Sequence, residues 1–221
     1  MERVRKHANP FSVRVELGRL DRIALFGREG LVEIELGSGA GGFLTERARK
    51  NPGIDFIGFE IRRPLVARAE ELRKALECNN LVFLFANGGA VLDGLLPAGS
   101  VSRFHVHFPD PCPKKRHHKR RLLNPTIVRR IATLLRVGGD IYAQSDVREL
   151  SLEMASFIEA DGSFAPRLLP LEGGARPVEE RTEWERHHES RSEPIYRLVY
   201  EKIREPEGAV PTIPFRRISI P

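Results

Sequence analysis

Residues 31–42 read LVEIELGSGAGG, and this stretch decides the fold. Leu31 to Leu36 is a short, largely apolar run with the reading of a buried strand. It opens into Gly37, Gly39 and Gly42, spaced as G-x-G-x-x-G, and a helical pattern follows from Phe43 to Lys50 until Asn51-Pro52-Gly53 stops it. Missing side chains let the loop backbone approach a ligand, and the helix start offers amides that have no partner within the helix. A second strand, Asp55 to Ile61, places Glu60 18 residues beyond Gly42. A carboxylate there can accept both hydroxyls of an adenosine ribose. Strand, glycine loop, helix, strand and acid, in that order, point to a ligand site rather than an incidental turn.

Two ligands suit the loop. A dinucleotide would lay its pyrophosphate on it. S-adenosylmethionine has no phosphate, and its ammonium group prefers an acid close by, which Glu35 supplies. The loop by itself leaves both open.

Outward from this unit the alternation continues. Pro64 stands in the first turn of a helix with Leu65, Ala69, Leu72 and Leu76 on one face. Leu81 to Ala86 and Arg103 to Phe108 read as strands, the latter alternating His105 and His107 with apolar residues. Asn124 and Pro125 start a helix with Ile127, Val128, Ile131 and Leu135 inward, and Gly138-Gly139 is expected to end it before a strand at Asp140 to Ser145. A helix over 148–160 and a strand over 195–202 complete the series, with a Gly- and charge-rich stretch without regular pattern over 172–191. Strands joined by helix-length crossovers imply an α/β fold, a mostly parallel sheet with helices on both faces. Residues 1–25 read as an N-terminal arm, 26–203 as one domain, and the proline-bearing 204–221 as a C-terminal extension.

The 221 residues carry a net charge of +6, from 36 Lys and Arg against 30 Asp and Glu. Lys114 to Arg121 (KKRHHKRR) alone holds six of the basic residues, so the remainder balances at 30 against 30. No apolar run reaches the roughly 18 residues a bilayer span needs, and the N-terminus lacks the apolar core of a secretory signal. Two cysteines, Cys78 and Cys112, make no disulfide framework and suit free thiols in a reducing cytoplasm.

The basic block follows Phe108-Pro109-Asp110-Pro111-Cys112-Pro113, a proline-stiffened loop at the carboxyl end of a strand, where open α/β sheets bind ligands. Its position there favours phosphate binding over a merely solvated face, with affinity that depends on salt more than on sequence. His117 and His118 have Lys and Arg neighbours that repel cations, so no metal is expected. Cys112 lacks a His–acid relay and reads as a loop residue. Asn87, after the third strand, either reads adenine with its amide or belongs to a turn with Gly88-Gly89.

These residues resemble the tRNA (guanine-N7)-methyltransferases, a family of class I, S-adenosylmethionine-dependent enzymes. The most specific match is FPDPCPKKRHHKRR at Phe108–Arg121, with Cys112 where the family has Trp. ELGSGAG at Glu35–Gly41, FIGFEI at Phe56–Ile61, SD at Ser145–Asp146 and TEWER at Thr182–Arg186 follow the family's order, over about residues 31–202. The resemblance implies a Rossmann-like, seven-stranded sheet. It implies that Glu35, Gly37, Gly39, Gly41, Glu60, Asn87 and Asp110 bind S-adenosylmethionine, with Asp110 catalytic. Lys114, Asp146, Thr182, Glu183, Trp184 and Glu185 would hold the guanosine. Arg116, His117, His118, Lys119, Arg120 and Arg121 would contact tRNA. Asn87 replaces a usual Asp and Ser145 a usual Thr. A monomer or homodimer is expected, with no metal or membrane partner.

The chemistry of the target fits such a set. Guanine N7 has a lone pair and no proton, so methyl transfer is chiefly a positioning task. Positive charge develops on the purine, and Asp110, Asp146 and Glu185 would stabilise it. The same acids repel RNA phosphate, so a separate basic rim is required. Other roles compete. Asp146 can cap the following helix, and Thr182 with Glu185 has the spacing of a capping box, although no apolar helical pattern follows. Two further functions stand beside the enzyme: a non-catalytic RNA-binding module that kept the fold, and an NAD(P)-dependent oxidoreductase.

Overall fold

A computed structural model of the chain describes residues 10, 13, 15, 17–112 and 121–208. Its elements run α1 (Arg22–Phe26), β1 (Leu31–Leu36), α2 (Gly42–Lys50), β2 (Ile54–Glu60), α3 (Arg63–Ala75), β3 (Leu81–Phe85), α4 (Gly88–Val91), β4 (Val101–His107), α5 (Pro125–Leu134), β5 (Leu135–Ser145), α6 (Arg148–Asp161), β6 (Phe164–Glu172), α7 (Glu183–Ser190) and β7 (Tyr196–Lys202). The strands form one seven-stranded sheet in the order β3-β2-β1-β4-β5-β7-β6. β1 to β5 pair in parallel, whereas β7 runs antiparallel to both β5 and β6. The order reverses between β1 and β4, so a ligand crevice is expected at the carboxyl ends of those two strands.

The sheet has two unlike faces because successive side chains alternate. Val32, Ile34 and Leu36 of β1, Phe104 and Val106 of β4 and Ile141 and Ala143 of β5 join Ile127, Val128 and Ile131 of α5 and Met154 and Ile158 of α6 in one large apolar core. The opposite face is apolar toward β2 and β3, where Phe56, Leu81 and Phe83 meet Phe43, Leu44 and Ala48 of α2 and Ala69 of α3. In its centre it is polar: Glu33, Glu35, His105, His107 and Gln144 are all buried there.

Local chemistry explains most boundaries. Asn124 accepts the Ile127 amide at 3.1 Å and Pro125 fills the first turn of α5. Gly162, at φ +78°, closes α6. The expected end of α5 at Gly138-Gly139 is corrected: the helix stops at Leu134, and both glycines lie within β5. There β5 advances from Leu135 to Asp140 while β4 advances only from Val101 to Arg103, and Gly138 at φ +79° absorbs the irregularity. The stretch over 172–191 is not without structure, since α7 occupies its second half. β6 was not legible at all, because Phe164–Glu172 carries two prolines and no clean alternation. Leu76, expected on the inward face of α3, is 39% exposed as that helix ends. Toward the N-terminus, Val15, Leu17 and Leu20 pack against the larger core, and the Leu20 amide donates to Leu95 O at 2.8 Å. Among the described residues, no helix is long and apolar enough to cross a membrane, and no cluster of His, Cys, Asp and Glu suits a metal.

Candidate active site

The glycine loop is a tight turn at the end of β1. Amides of Gly37 and Ser38 both donate to Phe59 O, at 2.8 and 2.9 Å, which ties the loop to β2. Gly37, Gly39 and Gly41 have φ of +89°, +57° and +80°, conformations that L side chains resist. Gly41 is also sterically required, since a Cβ would stand 2.6 Å from the Phe83 ring and 2.7 Å from Ala69 Cβ. A Cβ at Gly39 would meet nothing within 4 Å, so that side of the loop is open. Glu60 Oε2 accepts the Gly39 amide at 3.0 Å, and Oε1 accepts the amides of Ile61 and Arg62 and Nε of Arg62 at 2.9–3.1 Å. The acid found by spacing is therefore wired to the loop itself.

Glu35 is the most informative side chain. It is 2% exposed, its Oε1 meets His107 Nδ1 at 2.9 Å, and its Oε2 is buried without a hydrogen-bond partner among the described residues. Burial pushes its pKa above the usual 4.5 against the opposing pull of His107, and Glu60 adds like-charge repulsion. Beside it, Glu33 accepts Arg47 Nε at 2.6 Å and Nη2 at 2.8 Å, and meets His105 Nε2 at 2.8 Å. Burial would raise Glu33, but these hydrogen bonds outweigh it and hold the carboxyl far below the ordinary range. Burial lowers His105 to about 3, so its ring is neutral. Arg47 Nη1 also donates to Glu180 at 3.0 Å, which fixes the chain just before Thr182.

At the ends of β4 and β5 the Pro-Asp loop turns sharply. Phe108 and Cys112 have φ of +46° and +44°, the Phe108 amide donates to Gln144 O at 2.8 Å, and Asp110 Oδ1 accepts the Cys112 amide at 2.9 Å. Asp110 itself is exposed. Strained backbone of this kind persists only where its surroundings over-determine it. Asp146 does not cap α6, whose N-cap is Val147 without a side-chain bond; it lies 3.4 Å from His188 Nε2 instead.

The capping box, by contrast, is formed. Thr182 Oγ1 accepts the Glu185 amide at 2.9 Å, and Glu185 Oε2 accepts the Thr182 amide at 3.4 Å. Glu185 is 1% exposed and also takes Arg197 Nη2 at 2.8 Å and Gln144 Nε2 at 3.3 Å. It ties α7 to β5 and β7. Trp184 and Glu183 are on its outer side, and Trp184 stacks on His187 at 5.3 Å and meets His188 edge-on at 5.0 Å. Arg121 turns back on the loop, with Nε donating to Pro111 O at 2.9 Å and Nη1 paired with Glu153. Lys114, Arg116, His117, His118, Lys119 and Arg120 lie outside the described residues.

The residues present fit S-adenosylmethionine. A buried acceptor without a partner at Glu35 suits an ammonium group and would repel a pyrophosphate. The open side of Gly39 leaves room at the loop. At Glu60 a ribose would take the place of the Arg62 guanidinium, whose side chain is 45% exposed. Asn87 Nδ2 donates to Pro10 O at 3.2 Å, and its α4 receives no side-chain cap. Sequence reasoning missed Arg47, Glu180, His107 and His188, whose partners lie up to 133 residues away. The one available signal was the period-two polar pattern of His105 and His107 against Glu33 and Glu35.

Residues 29–198 match a family model described as "Putative methyltransferase". A tRNA (guanine-N(7)-)-methyltransferase of Synechococcus sp. (strain JA-3-3Ab) is 37% identical over 83% of this chain and 80% of its own length. Another, from Trichormus variabilis, is 33% identical over 91% and 96%. Among solved structures, an antibiotic-related methyltransferase superposes with TM-score 0.59 at 15% identity, covering 85% of this chain and 96% of that one. A 16S rRNA methyltransferase gives 0.56 at 17%, covering 82% and 92%. The sheet is that of the class I methyltransferases, and the chain belongs to the tRNA (guanine-N7)-methyltransferase family.

Proposed function

We propose that the chain methylates N7 of a guanine in tRNA, at position 46 of the variable loop, in the cytoplasm. The observation that carries this reading is Glu35, a buried carboxylate next to the glycine loop with one oxygen lacking a partner. It favours a cationic amino-acid cofactor over a dinucleotide. When bound, S-adenosylmethionine supplies an electrophilic methyl group on a sulfonium. Glu35 holds the ammonium, Glu60 the ribose and the Gly37–Gly41 backbone the turn between them, with Asn87 beside the adenine.

The other residues position the base. Asp110 and Asp146 stand after adjacent parallel strands and meet the charge that develops on the purine. A carboxylate such as Asp146 accepts N1–H and the amino group of guanine together, which adenine cannot offer. Thr182 to Glu185 close the cleft from α7, with Glu185 acting from below. No base is needed at N7, so the side chains orient and exclude water without taking a proton. Lys114 and residues 116–120 are proposed as the tRNA rim, with Arg121 turned back onto the loop by Pro111 O and Glu153. Equilibrium dialysis with S-adenosylmethionine, then turnover on unmodified tRNA, tests the reading. Binding and transfer are expected. RNA binding without transfer, or uptake of a reduced nicotinamide cofactor instead, overturns it.

A further inference from the structure

His188 belongs to none of the motifs above, yet it packs against several of them. It is 7% exposed. One face of its ring stacks on Phe108, with centroids 5.7 Å apart and planes 4° from parallel. Trp184 meets it edge-on. Its Nε2 is 3.4 Å from Asp146 Oδ2, and its Nδ1 is 2.7 Å from Glu193 Oε2.

We propose that His188 is a positioning residue that seats the Asp110 loop through its ring and Asp146 through its Nε2. The inference rests on the proposed role of both aspartates. They follow adjacent parallel strands, paired Val106 to Ala143 and His107 to Gln144, so the two aspartates stand after neighbouring strand ends. Both aspartates lie beyond the last paired residue of their strands, so the ladder itself does not set their direction. Phe108, which opens the Asp110 loop, is held at φ +46° against its own preference. That turn is held by its amide bond to Gln144 O, by the His188 ring packed flat against its own, and by Trp184 edge-on at 6.5 Å. The same imidazole presents a nitrogen to Asp146. Glu193 lies against the other nitrogen at ion-pair distance, and neither ring nitrogen makes a hydrogen bond among the described residues, so the ring is held chiefly by its stacking. α7, anchored by Glu185 and Arg197, is the rigid support for the whole contact.

Two variants separate the ring from the nitrogen. His188→Phe keeps the flat face for Phe108 and removes the contact to Asp146. His188→Gln keeps a donor near the Nε2 position and removes the face. Steady-state methyl transfer to unmodified tRNA should split accordingly. His188→Phe should raise KM for tRNA about tenfold with kcat within about twofold, and His188→Gln should lower kcat about tenfold with KM within about twofold. Amide hydrogen exchange reads the seat directly: the Phe108 amide should lose protection in His188→Gln and keep it in His188→Phe. S-adenosylmethionine affinity and melting temperature should match the wild type in both. Variants that shift kcat and KM together, or leave Phe108 equally protected, overturn the proposal. If wild-type protein transfers no methyl group, the proposed function falls, while the exchange pattern still decides whether His188 seats the loop.

Discussion

Glu35 is buried with half of its carboxylate unused, an arrangement that costs stability until a cation meets it. Its pKa is raised, so the sign of its linkage is fixed. The neutral acid stabilises the fold below the ordinary 4.5, and that contribution is lost as pH rises through the higher folded value. A bound ammonium requires the ionised form. Affinity for S-adenosylmethionine, measured by calorimetry, should therefore weaken as pH falls through that raised range. Glu35→Gln should bind about tenfold or more weakly and lose this pH dependence. An unchanged profile would remove Glu35 from the cofactor site. Asp110 is exposed and accepts the Cys112 amide, and Asp110→Ala should lower the transfer rate about a hundredfold while tRNA affinity stays at the wild-type value. Both acids were legible in the sequence because each sits at a motif whose spacing has a chemical meaning. His188 was not, since its partners Phe108 and Asp146 are distant in the chain and nothing local marks a histidine that stacks.

At the scale of elements, β1 with α2 was readable from its glycines, and β4 from its alternation, because those signals are local. β6 and α7 depend on partners. Among the described residues β6 pairs with β7 alone and accommodates Pro166 at a register shift, and α7 is held by Thr182, Glu185 and Arg197 rather than by an apolar stripe. The T-x-x-E spacing pointed correctly to a helix start, but without an inward apolar face the sequence offered no reason to expect one. The buried Glu33–Arg47–Glu180 group joins β1, α2 and the chain leading to α7. Glu33→Gln leaves the Arg47 charge without its main partner in the interior and should destabilise the protein by about 3 kcal/mol near neutrality in chemical denaturation. Because Glu33 is depressed in the folded state, its contribution is present above 4.5 and is lost as pH falls through the folded value. The difference between variant and wild type should shrink accordingly in acid. An equal difference at all pH values would mean that Glu33 is not ionised in the fold.

For the whole molecule, a charge of +6 becomes informative through its placement. The excess follows Asp110 directly in the sequence, while Glu35, Glu60 and Glu185 are buried acids. An acidic cleft and a basic rim are what a guanine in RNA demands, since the base gains positive charge while its backbone is negative. Replacing Lys119 and Arg120 with alanine should reduce the slope of log affinity against log salt by about two. Arg121, already paired with Glu153 and the Pro111 carbonyl, should leave that slope near the wild-type value when changed to alanine. Filter binding over a salt series separates the two cases. The most direct measurement of the account is transfer of labelled methyl from S-adenosylmethionine to unmodified tRNA, followed by mapping of the label. It should reside on N7 of one variable-loop guanosine; label on another atom or another nucleotide, or none across varied salt and pH, would contradict the account.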